Sequence, residues 1–179
     1  HVFGLCGHTN IAVLAAMADS TLHFVNTRHE QVAAHAADGY ARIAGKPAGY
    51  LYNQLVNFRD GRRRNPMMTY LVSNLPDAYL REIAAHFANL HPPYAPPATL
   101  AVAPAVIERG RALATRGDKA RDIPACNSCH GDALMGVAPA VPALLGLPRD
   151  YIDSQFGAWR TGGRTAAAPD CMSEITRRM

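Results

Sequence analysis

The rhythm of apolar and polar positions changes partway along this chain. Up to about residue 44, short apolar runs (Val2-Phe3-Gly4-Leu5 and Leu22-His23-Phe24-Val25) alternate with helix-length patterns at Ile11 to Met17 and Gln31 to Ile43, which predicts a β-α-β-α order. Beyond that point the strand rhythm is gone. Tyr50, Gln54, Phe58, Arg59, Gly61 and Arg63 describe a helix whose one face repeats every four residues and stops at a glycine. The same pattern returns 101 residues later as Tyr151, Gln155, Trp159, Arg160, Gly162 and Arg164. Each copy is followed by a Pro-containing loop and a methionine, in Asn65-Pro66-Met67-Met68 and in Pro169-Asp170-Cys171-Met172. Asp77 to Ala88 has helical spacing and closes the first copy, and Val106 to Ala114 opens the second. Between them, His91-Pro92-Pro93-Tyr94-Ala95-Pro96-Pro97-Ala98 begins a Pro-rich connector, placed at 92–104, that neither a helix nor an inner strand tolerates.

One short motif carries chemistry. Cys126-Asn127-Ser128-Cys129-His130 has the C-x-x-C-H form of a covalent c-type haem attachment site. Two thiols three apart can each add to a haem vinyl group, and the adjacent histidine then lies under the iron. A redox dithiol would sit in a βαβ context, whereas Ala133 to Leu147 is punctuated by Pro and Gly. Zinc would want a second ligand pair, and the other cysteines, Cys6 and Cys171, are far apart. Both are expected to be buried thiols. A thioether is the soft choice for a second axial ligand, and Met172, 42 residues beyond His130, is the expected one. Met135 is too close to His130 to reach the opposite haem face and is assigned to packing, and Met179 is terminal.

From about Gly45 to the end, the chain resembles a two-domain, dihaem class I cytochrome c. The resemblance implies a mainly α fold of class I cytochrome c-like helical domains. The C-terminal half of a first domain would span 46–91, and a second, truncated domain with one haem site would span 105–179. It also implies that Cys126 and Cys129 form the thioethers, that His130 and Met172 are the axial pair on the haem iron, that the Pro142 carbonyl accepts the ring N–H of His130, and that Arg160 lies near a haem propionate. A solvated helix face is the alternative for Arg160. The first copy departs from the family. Met68, or in second place Met67, holds its distal-ligand position as a vestigial ligand, but no C-x-x-C-H precedes it. Its haem is therefore expected to be absent, leaving one haem c.

Residues 1–45 resemble something else, the N-terminal pyrimidine-binding domain of thiamine-diphosphate enzymes of the acetolactate-synthase type. The matching residues are Val2-Phe3-Gly4-Leu5, Asn26-Thr27-Arg28-His29-Glu30-Gln31 and Ala34-His35-Ala36-Ala37-Asp38-Gly39-Tyr40-Ala41-Arg42. The resemblance implies a short, incomplete α/β segment in which Glu30 is the catalytic carboxylate that hydrogen-bonds the aminopyrimidine. A first-turn helix carboxylate is the plainer account of Glu30. The G-D-G signature of the domain that holds thiamine diphosphate and magnesium does not occur. Thiamine-dependent catalysis is therefore not expected, and the enzyme remains the alternative. Carried backwards, the repeat aligns Gly146-Leu147-Pro148 with Gly45-Lys46-Pro47 and then vanishes, and Gly45-Lys46-Pro47 also fits the thiamine-enzyme motif. That tripeptide is the expected join of a chimera. The chain starts in mid-motif and stops before the last helix of its second cytochrome domain, so a chimeric fragment is expected, from a natural fusion or a misassembled reading frame.

Composition adds little against this. The 179 residues have room for one or two domains, and 49% hydrophobic content can supply a core. The net charge of +4 is concentrated in Arg62-Arg63-Arg64, read as a solvated turn or as a contact for propionates or an acidic redox partner. No nucleic-acid motif and no membrane-spanning run of about 18 apolar residues occurs. The expected protein is a periplasmic single-electron carrier that exchanges electrons with a membrane oxidase or reductase. The thiamine-enzyme alternative, a fragment of an acetolactate synthase-like enzyme, would place it in the cytoplasm, and a third reading is a non-functional chimera with no bound cofactor.

Overall fold

The computed structural model describes residues 1–6, 11–91 and 101–179. The chain forms two compact units, His1–Ala44 and Gly45–Met179. Most of the Pro-rich connector, residues 92–100, lies outside the described residues.

In the first unit, β1 (Val2–Gly4) pairs in parallel with β2 (Phe24–Asn26), Phe3 opposite Val25. Between them runs α1 (Ile11–Ala18), as a parallel pair requires. β2 begins later than the apolar run suggests because the Ser20 hydroxyl accepts the Leu22 amide at 3.1 Å and draws Leu22 into a turn. α2 (Glu30–Ile43) follows, packed on β1. Its cap is His29, whose ring Nδ1 accepts the Gln31 amide at 3.2 Å. Burial is thin: α1 has no buried residue and α2 only Ala33. Among the described residues the sheet has only these two strands, an incomplete α/β segment.

The second unit is helical among its described residues, with only isolated bridges. Its first part comprises α3 (Ala48–Arg59), α4 (Pro66–Val72) and α5 (Asp77–Ala88). Leu51 of α3, Val72 of α4 and Leu80 and Ala84 of α5 are buried, and a fully buried leucine such as Leu80 contributes roughly 1.5–3 kcal/mol. Asn65 caps α4 by accepting the Met68 amide at 3.0 Å, and Pro66 fits the first helical turn, where its missing N–H costs nothing. Asp77, in the first turn of α5, receives Arg59 at 2.7 Å and the Tyr52 hydroxyl at 3.0 Å. These hydrogen bonds hold its carboxyl below the usual range.

The second part comprises α6 (Pro104–Arg116), a 3-10 turn at Lys119–Arg121, α7 (Asn127–His130), α8 (Arg149–Arg160) and α9 (Cys171–Arg178). α8 packs on α9, where Thr176 is fully buried. Asp170 caps α9 through the Ser173 amide at 3.1 Å. α6 buries nothing, and its Val106 and Ile107 face outward.

The repeat is also a contact. Arg63 and Arg164 form an antiparallel bridge, flanked by Arg64 N–H to Gly163 O at 2.8 Å and Thr165 N–H to Arg62 O at 2.6 Å. The equivalent turns of the two copies therefore meet face to face. The Arg62–Arg64 run is not a freely solvated turn: Arg62 and Arg63 are half-buried, and only Arg64 is exposed.

Candidate functional site

α7 is a single turn, and its brevity is what the motif needs. It presents Cys126 at its cap, Cys129 one turn on and His130 beside it, before Gly131 at φ +84° turns the chain away. The loop that follows folds back under the histidine. Gly136, at φ +86°, allows this: a Cβ there would sit 2.6 Å from the Ala143 nitrogen and 2.8 Å from the Val141 oxygen. The loop brings the Pro142 carbonyl 2.7 Å from His130 Nδ1. A carbonyl can only accept, so Nδ1 carries the proton and Nε2 keeps its lone pair for a metal. His130 is 7% exposed, and burial pushes the Cys126 thiol pKa up.

These groups line a cavity of about 530 Å³. Cys126, Cys129, His130 and Pro142 line it from the motif and its loop, and Met172 from the first turn of α9. Phe156 and Trp159 come from α8, and Lys46, Tyr50, Gln54 and Arg62 from the first copy. Its polar end is unusual. Arg164 is 6% exposed, with its guanidinium 3.9 Å over the Trp159 ring. Its donors reach only neutral groups: Gln155 at 2.6 Å, Gln54 at 3.2 Å and the Tyr50 hydroxyl at 3.4 Å. Arg63 mirrors it, reaching Gln54 at 3.0 Å and Gln155 at 2.9 Å. Burial lowers the Arg164 pKa, yet a guanidinium stays charged. Trp159 Nε1 is buried without a partner, the one such side-chain atom among the described residues. A buried cation facing amides and phenols, beside an orphaned N–H, fits a ligand that is apolar over most of its surface and anionic at one edge. With two thiols, an imidazole and a thioether all lining it, the donor set fits haem c.

Known proteins agree. The chain is 38% identical over 165 residues to the thiosulfate dehydrogenase electron acceptor of Stutzerimonas stutzeri, covering 92% of this chain and 73% of that protein. The same protein of Thiomonas intermedia is 38% identical over 143 residues, and cytochrome c4 of Pseudomonas aeruginosa 35% over 141, covering 80% and 74% of this chain. The chain spans 65% of the Thiomonas relative and 67% of the Pseudomonas one. The chain belongs to the cytochrome c4 family of dihaem class I cytochromes. Among solved structures, thiosulfate dehydrogenase (TsdBA) of Marichromatium purpuratum superposes with a TM-score of 0.67 at 34% identity, covering 77% of this chain and 29% of that one. Residues 1–57 match a second family, described as the N-terminal TPP binding domain of thiamine pyrophosphate enzymes. That match runs through Gly45-Lys46-Pro47 into α3 of the cytochrome repeat, which makes the chain a chimera of two families.

Measured against a cytochrome site, the expected residues divide. Cys126, Cys129, His130, Pro142 and Met172 share the cavity, and Met172 sits in a helix rather than in a loop. Arg160 is exposed and does not line it; Arg164, beyond the glycine stop, does. Met68 is half-buried and Met67 exposed, both away from this cavity. Glu30 is an exposed first-turn residue of α2, 3.8 Å from His29 Nδ1. Two expectations are corrected. Cys6 and Cys171 are exposed rather than buried, because Cys6 lies just past the end of β1 and Cys171 is the first residue of α9, at the helix end beside the open cavity. Met135 is 45% exposed in its loop and packs little. Lys46, Arg164 and the Trp159 nitrogen escaped notice in the sequence, although the repeat had already singled out Arg164 and Trp159 by position.

Proposed function

We propose that this chain is a single-electron carrier with one haem c, held by thioethers from Cys126 and Cys129 and ligated by His130 and Met172. The convergence of those four side chains on one cavity carries the reading. Haem would supply a metal centre that gains and loses one electron without a change of ligands. The protein's part is to hold it. The Pro142 carbonyl fixes the His130 ring and its tautomer, Met172 offers a soft sulfur that raises the potential, and the cavity wall excludes water. Arg164 and Trp159 Nε1 would hold the propionate edge, in place of Arg160.

Residues 46–91 act as the closing half of a first cytochrome domain that holds no haem of its own, residues 92–104 as the linker, and residues 105–179 as the haem domain. Met68 is then a vestigial ligand. Two relatives are named electron acceptors of thiosulfate dehydrogenase, so a redox enzyme of that kind, or a membrane oxidase or reductase, is the fitting partner. Covalent haem attachment fits a periplasmic location, and no helix among the described residues is long and apolar enough to cross a membrane. The axial pair is tested by Met172→Ala in chain produced with a haem-attachment system. The covalent haem should remain while the low-spin spectrum changes and the midpoint potential falls. An unaltered spectrum would remove Met172 from the iron.

A further inference from the structure

Lys46 is a buried lysine, 7% exposed, on the wall of the same cavity. Its Nζ donates to the Ala143 carbonyl at 3.1 Å, and no ion pair involves it among the described residues. Ala143 follows Pro142, the residue whose carbonyl holds His130. Three residues on, Gly49 lets the start of α3 close on the same loop, since a Cβ there would lie 2.6 Å from the Pro139 oxygen. The second copy has Leu147 and Asp150 at the corresponding positions. Lys46 also lies inside the stretch matched to the thiamine-enzyme family. The join has therefore set an ammonium group where the cytochrome repeat carries a leucine.

We propose that Lys46 is a positioning residue for the haem ligand His130, clamping the Pro142–Ala143 segment and placing a fixed positive charge beside the cavity that favours the reduced state. The inference rests on the haem reading above. Reduction removes one unit of positive charge from the iron centre, so a nearby buried cation stabilises the reduced form and raises the potential. The clamp also steadies the carbonyl that sets the ring orientation of His130. Burial lowers the Lys46 pKa, as a desolvated ammonium requires, while the Ala143 carbonyl accepts a hydrogen bond from its Nζ.

The test is the midpoint potential of the haem-loaded full chain for native protein, Lys46→Met and Lys46→Arg. The methionine variant keeps an unbranched side chain one atom shorter and drops the charge. At fixed applied potential it should favour the oxidised form about tenfold more than native, which is ~59 mV for a one-electron couple. The arginine variant should stay near native. Where Lys46→Met fails to fold, Lys46→Leu, which installs the residue of the second copy, serves in its place with the same expected fall. A native potential in the neutral variants overturns the proposal, and so does an equal fall in Lys46→Arg, which would point to packing alone. A native chain that takes up no covalent haem fails differently: it defeats the electron-carrier reading itself, and this inference with it.

Discussion

Trp159 and Arg164 show what a single residue can disclose about the chemistry of the group it faces. Trp159 Nε1 has given up water without gaining an acceptor, and an unsatisfied buried donor costs about 1–3 kcal/mol. In haem-free chain, Trp159→Phe should therefore be neutral or stabilising by urea denaturation. In haem-loaded chain it should destabilise, because the propionate then loses a donor. The same sign in both forms would contradict the assignment. Lys46 gives a pH signature. Its folded-state pKa is lowered by burial, so between that value and the ordinary lysine value of 10.5 the unfolded chain binds more protons. Stability from this group is lowest below the folded pKa and rises as pH climbs to 10.5. Lys46→Met should flatten that rise in a series of urea midpoints taken from neutral to alkaline pH. The covalent motif was readable at this scale because its chemistry is local, five consecutive residues. Arg164 was not singled out for the propionate edge because its burial arises from pairing with Arg63 across the two copies, a contact between residues 101 apart.

Among elements, the period-four pattern and the glycine stop place α3 and α8 well, and α5 follows its apolar spacing to the residue. The departures have local causes. The Ser20 hydroxyl holds back the start of β2, and the Asp170 cap, receiving the Ser173 amide at 3.1 Å, extends α9 back to include Cys171 and Met172. Gly49 tests the packing of α3. Alanine is the better helix former by up to ~1 kcal/mol, yet its Cβ would strike the Pro139 carbonyl at 2.6 Å. Gly49→Ala should therefore destabilise by about 1–3 kcal/mol in a urea titration, and a stabilised variant would show that α3 does not press on that loop. α6 should be the weak element. With Val106 and Ile107 exposed and no buried side chain, its amides should exchange well before those of α3 and α5, whose Leu51, Leu80 and Ala84 are buried.

For the whole molecule, the division at Ala44/Gly45 separates two inheritances. Every residue lining the main cavity lies between Lys46 and Met179, and Glu30 lies in the other unit. Glu30→Gln should accordingly leave haem content and the visible spectrum unchanged. The thinly buried first unit should lose its secondary structure at lower denaturant than the haem absorption reports, giving non-coincident transitions by far-ultraviolet circular dichroism and visible absorption. The chimeric character was legible because each family left its own string of residues and the repeat fell silent at Gly45. The sharing of one cavity by both copies was not, since it depends on how the Arg63 and Arg164 turns meet. The most direct test of the account is the reduced-minus-oxidised visible spectrum of the chain made with a haem-attachment system, read beside a denaturing gel stained for covalent haem. The account predicts a sharp low-spin reduced band with one covalent haem per chain, lost when Cys126 and Cys129 are both replaced by alanine. No covalent haem, or two per chain, would contradict it.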